Sequence, residues 1–469
     1  MPGSMTESVR EAAAAPEEPS VAVLARATLG MTALTALSRA TGFARVLVVA
    51  AVLGPTFLGN TYQSANTVPN LLFELLAAGA LQAVLIPTLV EVLDTAGRDE
   101  VSRVAGSVLG LAATVLGVVA GLGMIASPWI MRGLVSGVAD PAVRDAQVRL
   151  GTVFLLFFLP QVAFYAAGMV GTAVLNAQER FALPAFAPVV NNVVVIGAYA
   201  GFWALRGGAA PSLELRAIEI AVLAGGTTLG VMAFTLVPVV AAVRSGVSLR
   251  PRLDLRHAAV RRIGRQGVWA AVYVGSTQVL LAAALVLANR VEGGVVTYHV
   301  AYTFFLLPHA LISVPIATAL FPRLSRRARD GRGFGATLGA GARATGVLTV
   351  VAAVAVVVLA RPLAGLALFG RAGAHAGEVA RVLTGFAPAI VGYGLFVLLT
   401  RAFYATGDAR TPAIVNALVA AAGSAAMAVG FARGAIPALA WSFSGAQLAG
   451  AGALALLLWR SRAGKPDAS

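Results

Sequence analysis

VAGSVLGLAATVLGVVAGLGMIASPWIM, residues 104–131, runs for 28 positions without a charged side chain. A helix of that length rises about 42 Å at ~1.5 Å per residue, more than the ~30 Å of hydrocarbon in a bilayer. The stretch reads as a transmembrane helix, and the rest of the chain repeats the pattern. Of the 469 residues, 58% are hydrophobic and 12% charged, with a formal net charge of +15. A soluble domain carries roughly a quarter charged residues. The broad class is therefore a polytopic membrane protein. Further apolar stretches place about twelve spans near 29–53, 64–90, 104–131, 150–175, 184–205, 217–243, 266–289, 295–321, 336–360, 380–403, 411–431 and 435–459. Residues 1–20 mix Pro, Ser, Glu and Ala without an apolar period and read as a disordered cytoplasmic tail rather than a cleaved signal.

Some chemistries are excluded outright. There is no cysteine, so disulfides, thiol catalysis and zinc-thiolate sites are absent. Lys465 is the only lysine, and Trp459 stands where a Walker-type loop needs its first glycine, so the chain builds no P-loop. The four histidines, His257, His299, His309 and His375, show no metal-ligand spacing with acids and read as surface or interface residues. No nucleophile-base arrangement stands out, so neither an enzyme nor a bound cofactor is expected.

The arginines set the expected orientation. Residues 244–265 hold Arg244, Arg250, Arg252, Arg256, Arg261, Arg262 and Arg265 against Asp254, and residues 323–332 hold Arg323, Arg326, Arg327, Arg329 and Arg332 against Asp330. These two loops supply a net +10 of the total charge. Arginine excess marks the cytoplasmic side of a membrane, so both loops and both termini are expected there. In a membrane chain such patches point to topology and to anionic membrane lipids rather than to nucleic acid.

An internal repeat divides the chain. Ala-Val-Leu-Ile-Pro87-Thr-Leu closes the second span as Thr-Ala-Leu-Phe-Pro322-Arg-Leu closes the eighth. Asn176-Ala-Gln-Glu-Arg-Phe-Ala-Leu-Pro184 likewise matches Tyr404-Ala-Thr-Gly-Asp-Ala-Arg-Thr-Pro412. Six spans per repeat is an even number, so the halves share one topology about an axis along the membrane normal. The expected architecture is all-α, with a six-helix lobe over 21–245, a basic cytoplasmic linker over 246–265, a second six-helix lobe over 266–460 and a tail over 461–469.

Polar groups inside a membrane are costly and mark function first. The first span contains Ser38-Arg39-Ala-Thr-Gly42-Phe-Ala-Arg45. Its guanidinium groups never lose their charge and suit pyrophosphate, whose oxygens accept paired hydrogen bonds. Gly42 between them offers a bend that would aim both at one cavity; alternatively they snorkel to the interface or pair with an acid. Glu74 is the acid well inside the second span and could neutralise Arg39 or Arg45 when substrate is absent. Asn60, Asn66 and Asn70 are weaker candidates, as are Asn191, Asn192, Asn416, Thr277 with Gln278, and Thr303 beside Tyr302.

From Ser38 to Arg45, through Asn66-Thr-Val-Pro-Asn-Leu-Leu-Phe-Glu-Leu-Leu-Ala-Ala-Gly-Ala, and on to Pro87, the chain resembles the MurJ/MviN family of lipid II flippases. That family lies within the multidrug/oligosaccharidyl-lipid/polysaccharide exporter superfamily. The likeness spans the membrane region, including Asn176–Pro184, Leu307–Ser325 and Tyr404–Pro412. The resemblance implies two V-shaped lobes that pass undecaprenyl-diphosphate-linked disaccharide-pentapeptide from the inner to the outer leaflet of a bacterial cytoplasmic membrane. Its arginines carry over onto Arg39 and Arg45. Where better-known members have an acid after the second arginine, this chain has Val46, and an acid of the first loop falls at Asn60. A second-span arginine and glutamate align with Phe73 and Ala78, an eighth-span arginine aligns near Thr303, and Glu74 stands where many members have another arginine. The expected substrate site is therefore Arg39, Arg45, Glu74, Asn60 and Asn66, less charged than in those members. Cell-wall synthesis proteins would be further partners. Alternatives are export of another polyprenyl-linked saccharide or hydrophobic compound, or a non-transporting cell-wall scaffold.

Overall fold

The structure, a computed structural model, describes residues 21–74, 79–254, 268–330, 332–368 and 370–463. Helix α1 (Val21–Val52) ends where Gly54 takes a left-handed φ of 66° ahead of Pro55. It is followed by α2 (Phe57–Phe73), α3 (Gly79–Leu134), α4 (Pro141–Phe158), α5 (Gln161–Ala177), α6 (Ala182–Arg206) and the short α7 (Ala217–Ile220). A π-helical turn, Ala221–Gly225, leads into α8 (Gly226–Arg244). The second half holds α9 (Val268–Ala288), α10 (Gly294–Pro308), a π-helical turn at His309–Ser313, α11 (Val314–Asp330), α12 (Phe334–Ala367), α13 (Ala376–Ala405) and α14 (Arg410–Ala463).

Among the described residues, nine helical stretches are long and apolar enough to cross a membrane, and Val272–Ala288 is a shorter apolar helix. Two of the nine are double spans. Helix α3 breaks at Gly97 (φ 75°, ψ −171°), and α14 breaks at Gly434 and Ala435. Pairing α2 with the first part of α3, α4 with α5, α7 with α8 and α10 with α11 gives twelve rods, at the positions the sequence indicates. One boundary differs. Arg323, Arg326, Arg327 and Arg329 belong to the last turns of α11 rather than to a loop, with Leu324 turned inward and these arginines outward. The amphipathic spacing continues the helix past the apolar stretch.

The repeat is visible in hydrogen bonds. After α5, Arg180 N–H donates to Leu175 O (2.8 Å) and Glu179 N–H to Asn176 O (3.1 Å); after α13, Asp408 N–H donates to Phe403 O (3.0 Å) and Gly407 N–H to Tyr404 O (3.0 Å). Both turns use a left-handed residue at the same place, Glu179 (φ 61°) and Gly407 (φ 84°). Asn192 of α6 donates to Ser38 O (3.4 Å) and Thr41 Oγ1 (3.1 Å) of α1, and Asn416 of α14 donates to Tyr273 O (2.8 Å) and Thr277 Oγ1 (3.0 Å) of α9. An asparagine thus ties the fifth rod of each half to its first, a use that fits the rarity of unpaired amides in lipid.

Each half has its own core. In the first, Tyr62, Phe154, Phe158 and Tyr199 are fully or nearly buried together. In the second, Tyr298, Tyr302, Phe305, Phe386 and Phe443 pack with ring centroids 5.2 to 6.1 Å apart. Aromatic pairs at such separations prefer tilted or edge-on geometries, as most of these do. Val46 and Ala50 of α1 are buried in the second half's core, and Phe43 meets Phe304 edge-on at 5.1 Å.

The halves are joined at the end of the bundle away from the arginine-rich helix ends. There Asn60 Nδ2 donates to Val291 O (2.8 Å), Val295 N–H donates to Asn60 Oδ1 (3.0 Å), and Asn289 Nδ2 donates to Ser64 Oγ (2.8 Å). Gly293 (φ 71°) lies so close to Pro55 that a Cβ would overlap it, and a Cβ on Gly59 would lie 2.7 Å from Val296 Cγ2. At the other end, the extended segment after α8 lies along α3. Ser248 N–H donates to Ser102 Oγ (3.0 Å), and Arg252 N–H donates to Gly106 O (2.9 Å). Gly106 and Gly110 leave the groove in which it runs.

Candidate functional site

A polar cavity of about 160 Å³ opens inside the first half, lined by Arg45, Asn66, Asn70, Tyr165, Asn191, Val195, Tyr199, Thr227 and Val231. Its walls come from α1, α2, α5, α6 and α8, so five helices converge on one arginine. No acid lines it. At ~30 Å³ per water, the space holds about five waters. That suits a small charged group and is far below the roughly 300–1,000 Å³ of sites that enclose a whole drug-sized ligand.

Arg45 is half-buried and projects from α1 into this cavity. Its partner is Asn191. With the amide oxygen assigned towards Arg45, Asn191 accepts from Nη1 at 3.3 Å and its nitrogen donates to Gly230 O at 3.2 Å. This is the orientation that satisfies both ends of the amide. Ion pairs such as Arg103–Glu100, Arg206–Glu219 and Arg216–Glu219 form elsewhere, and none of these involves Arg39 or Arg45. The guanidinium is therefore oriented by a neutral group, with no acid paired to it among the described residues.

The cavity floor is built on hydroxyls. Tyr62 Oη lies 2.6 Å from Thr227 Oγ1 and 2.9 Å from Tyr199 Oη, and Thr227 Oγ1 donates to Leu223 O (2.7 Å). Tyr199 and Thr227 line the cavity directly, whereas Tyr62 stands behind them and lies edge-on to Phe154 and Phe158. Tyr165, which lines the cavity, packs on Phe73 with ring centroids 5.1 Å apart.

Of the residues expected at the site, Arg45 and Asn66 meet in the cavity, joined by Asn70 and Asn191. Arg39 does not line it. Helix α1 continues through Gly42 without a break, and a Cβ there would touch Asn192 Nδ2 at 3.4 Å, so this glycine serves packing rather than a bend. Six residues apart on an unbent helix, the two arginines diverge by about 120°. Arg39 is exposed, and its charge reaches His309 in the second half, while that of Arg45 reaches His299. His309 stacks 4.5 Å from Tyr393 and its Nδ1 is buried without a hydrogen-bond partner. It is thus interior, as is half-buried His299, while His257 lies outside the described residues.

Glu74 caps the end of α2, is exposed and forms no ion pair with either arginine. The neutralising pair expected from the sequence is not formed in this conformation. Asn60 is fully buried in the junction between halves, two turns from the cavity asparagines, and its amide is consumed by backbone groups of the other half. Asn192, Asn416 and Thr277 tie helices together. Tyr165, Tyr199 and Thr227 escaped the sequence reading because tyrosine and threonine in apolar helices carry no charge or spacing that sets them apart. Among the described residues, no group of three or more His, Asp or Glu is placed to hold a metal ion.

The family described as "Lipid II flippase MurJ" matches residues 49–468, which begins just after Arg45. Among curated relatives, lipid II flippase MurJ of Burkholderia cenocepacia is 31% identical over 403 residues, covering 83% of this chain and 75% of that one. The probable lipid II flippase MurJ of Rhizobium tropici is 29% identical over 398 residues, 83% and 72% of the two chains. Among solved structures, a lipid II flippase MurJ in an inward closed conformation superposes with a TM-score of 0.76 at 18% identity, over 92% of this chain and 87% of that one. A multidrug resistance MATE family transporter of the MOP superfamily, inward-facing, gives 0.74 at 14% identity over 94% and 99%. The fold is thus shared with transporters of that superfamily, and the chain belongs to the MurJ family of lipid II flippases.

Proposed function

We propose that this chain moves lipid II from the inner to the outer leaflet of the bacterial cytoplasmic membrane by alternating access. The observation that carries the reading is Arg45, held by a neutral amide in a cavity of asparagine, tyrosine and threonine groups with no acid among its linings. An uncompensated guanidinium in a partly desolvated pocket attracts an oxyanion strongly, and a diphosphate offers oxygens in the spacing its fork recognises. The cavity takes the diphosphate alone, and the glycan and peptide lie in the space between the halves. A site for cationic hydrophobic compounds would call for acids where the cavity has amides and hydroxyls.

The basic ends of α8 and α11 face the cytoplasm with both termini, by arginine excess. The junction at Asn60 and Asn289 then lies on the outer side, and this conformation is closed outward. The two bodies that rock are residues 21–245 and 266–460. Arg39, exposed towards the second half, meets the head group on its way in.

Reconstituted vesicles with labelled lipid II test the reading. Wild-type chain should translocate the label; Arg45→Ala should abolish translocation with normal insertion, and Arg39→Ala should slow it. Translocation by Arg45→Ala at the wild-type rate would overturn the role given to the cavity. An outer-leaflet signal unchanged by the wild-type chain would favour the scaffold reading.

A further inference from the structure

We infer that Asn191 is a positioning residue that sets the charge of the head-group site: it fixes the Arg45 guanidinium while leaving its positive charge for a diphosphate. The inference rests on the diphosphate reading of the cavity given above.

An arginine inside a membrane protein is ordinarily held by a carboxylate, which satisfies its N–H groups and cancels its charge together. Here the first task is done without the second. Asn191 accepts from Arg45 Nη1 at 3.3 Å, and its own nitrogen is spent on Gly230 O at 3.2 Å, so the amide is fixed at both ends and cannot swing away. The position is made for it. A Cβ on Gly230 would stand 2.7 Å from the Asn191 amide and 2.5 Å from Val195 Cγ2, so α8 carries a glycine where α6 places the asparagine. The next residue, Asn192, is used differently, as a tie to α1. Val46, which follows Arg45 directly, is buried in the core of the second half and offers no alternative acceptor.

The arrangement has a consequence for selectivity. A neutral acceptor leaves the cavity at a net charge of +1, which favours a ligand in proportion to its negative charge. An aspartate at the same place would form an ion pair with Arg45 that the ligand must displace. Asn191 therefore favours diphosphate over monophosphate head groups, and its effect is separable from a packing role.

The test measures binding of undecaprenyl diphosphate and undecaprenyl monophosphate to the full-length protein in nanodiscs, with melting temperature recorded for every variant. Asn191→Asp should weaken diphosphate binding by about tenfold or more, the equivalent of one charge-assisted hydrogen bond, and should narrow the preference for diphosphate over monophosphate. Asn191→Gln, which keeps a neutral acceptor, should retain that preference. Asn191→Leu, which removes the acceptor without adding charge, should also weaken diphosphate binding and serves if the aspartate variant does not fold. If Asn191→Asp and Asn191→Leu both bind as wild type while Arg45→Ala loses binding, the role of Asn191 is wrong and the cavity reading stands. If Arg45→Ala itself binds as wild type, the cavity reading fails.

Discussion

Asn289 donates from Nδ2 to Ser64 Oγ at 2.8 Å, a buried bond between two side chains that belong to different halves of the molecule. One turn away on α2, Asn60 exchanges two further hydrogen bonds with the backbone at Val291 and Val295. The same helix continues to Asn66 and Asn70 in the cavity. Helix α2 is thus one rod with the candidate site at one end and the junction at the other.

Opening of that junction should be controlled by Asn60. Its replacement by alanine removes two hydrogen bonds and leaves the buried Val295 N–H without an acceptor, which favours the separated state by about 1–3 kcal/mol, or roughly 5- to 150-fold in population. Because the chain has no cysteine, an Ala50→Cys reporter, buried in the core of the opposite half, labels without background. Labelling by a membrane-impermeant maleimide should rise in Asn60→Ala; an unchanged rate would show that apolar contacts alone hold the junction.

Gly293→Ala should act in the same direction and more strongly. A methyl group there meets Pro55, and the left-handed φ of 71° adds strain of about 1–3 kcal/mol. The Ala50→Cys reporter should label faster than in Asn60→Ala.

Glu179 offers a gain. It occupies the left-handed position that Gly407 fills in the matching turn. A non-glycine residue there costs about 1–2 kcal/mol, and part of the gain is returned as glycine entropy in the unfolded chain. Glu179→Gly should raise stability in detergent by about 0.5–1 kcal/mol, seen as a higher melting temperature. The reciprocal Gly407→Glu should lower it.

The turn before α14 should respond to acid. Asp408 accepts from the amides of Arg410 and Thr411 at 3.0 Å each, and Thr411 Oγ1 donates to it at 2.6 Å. Partial burial raises its pKa, but the Thr411 hydroxyl, the two amides and nearby Arg410 outweigh burial and hold the carboxyl below its ordinary value. A depressed folded pKa means that the cap is at full strength above the unfolded pKa, near 4, and is lost as pH falls through the lower folded value. Amide exchange at Arg410 and Thr411 should stay slow from neutral pH down to about 4 and lose protection below it. Asp408→Ala should lose about 1 kcal/mol of cap at neutral pH.

Sequence and structure agree most closely where physics is local. Runs such as residues 104–131 have one outcome in lipid, and the Pro184 and Pro412 landmarks mark turns that match bond for bond. Agreement weakens where an outcome depends on which way a helix faces. Arg39 and Arg45 look alike in sequence, yet only Arg45 turns into the cavity because α1 does not bend at Gly42. Asn60 and Asn66 also look alike, and six residues of helix send one to the junction and the other to the cavity. Asn191 and Asn192 are adjacent, so they point to different neighbours and take different roles. Burial of Val46 in the opposite half depends on contacts across more than 200 residues, which no local pattern reports.

The segment after α8, glued along α3 through Ser102 and Gly106, changes what joins the halves. Residues 245–252, beyond the end of the helix at Arg244, are thereby held against the first half rather than lying free of it. A methyl at Gly106 would meet Arg250 O and pry the segment from α3, and with it Val247 and Leu249, which pack in the core that α3 forms with α5.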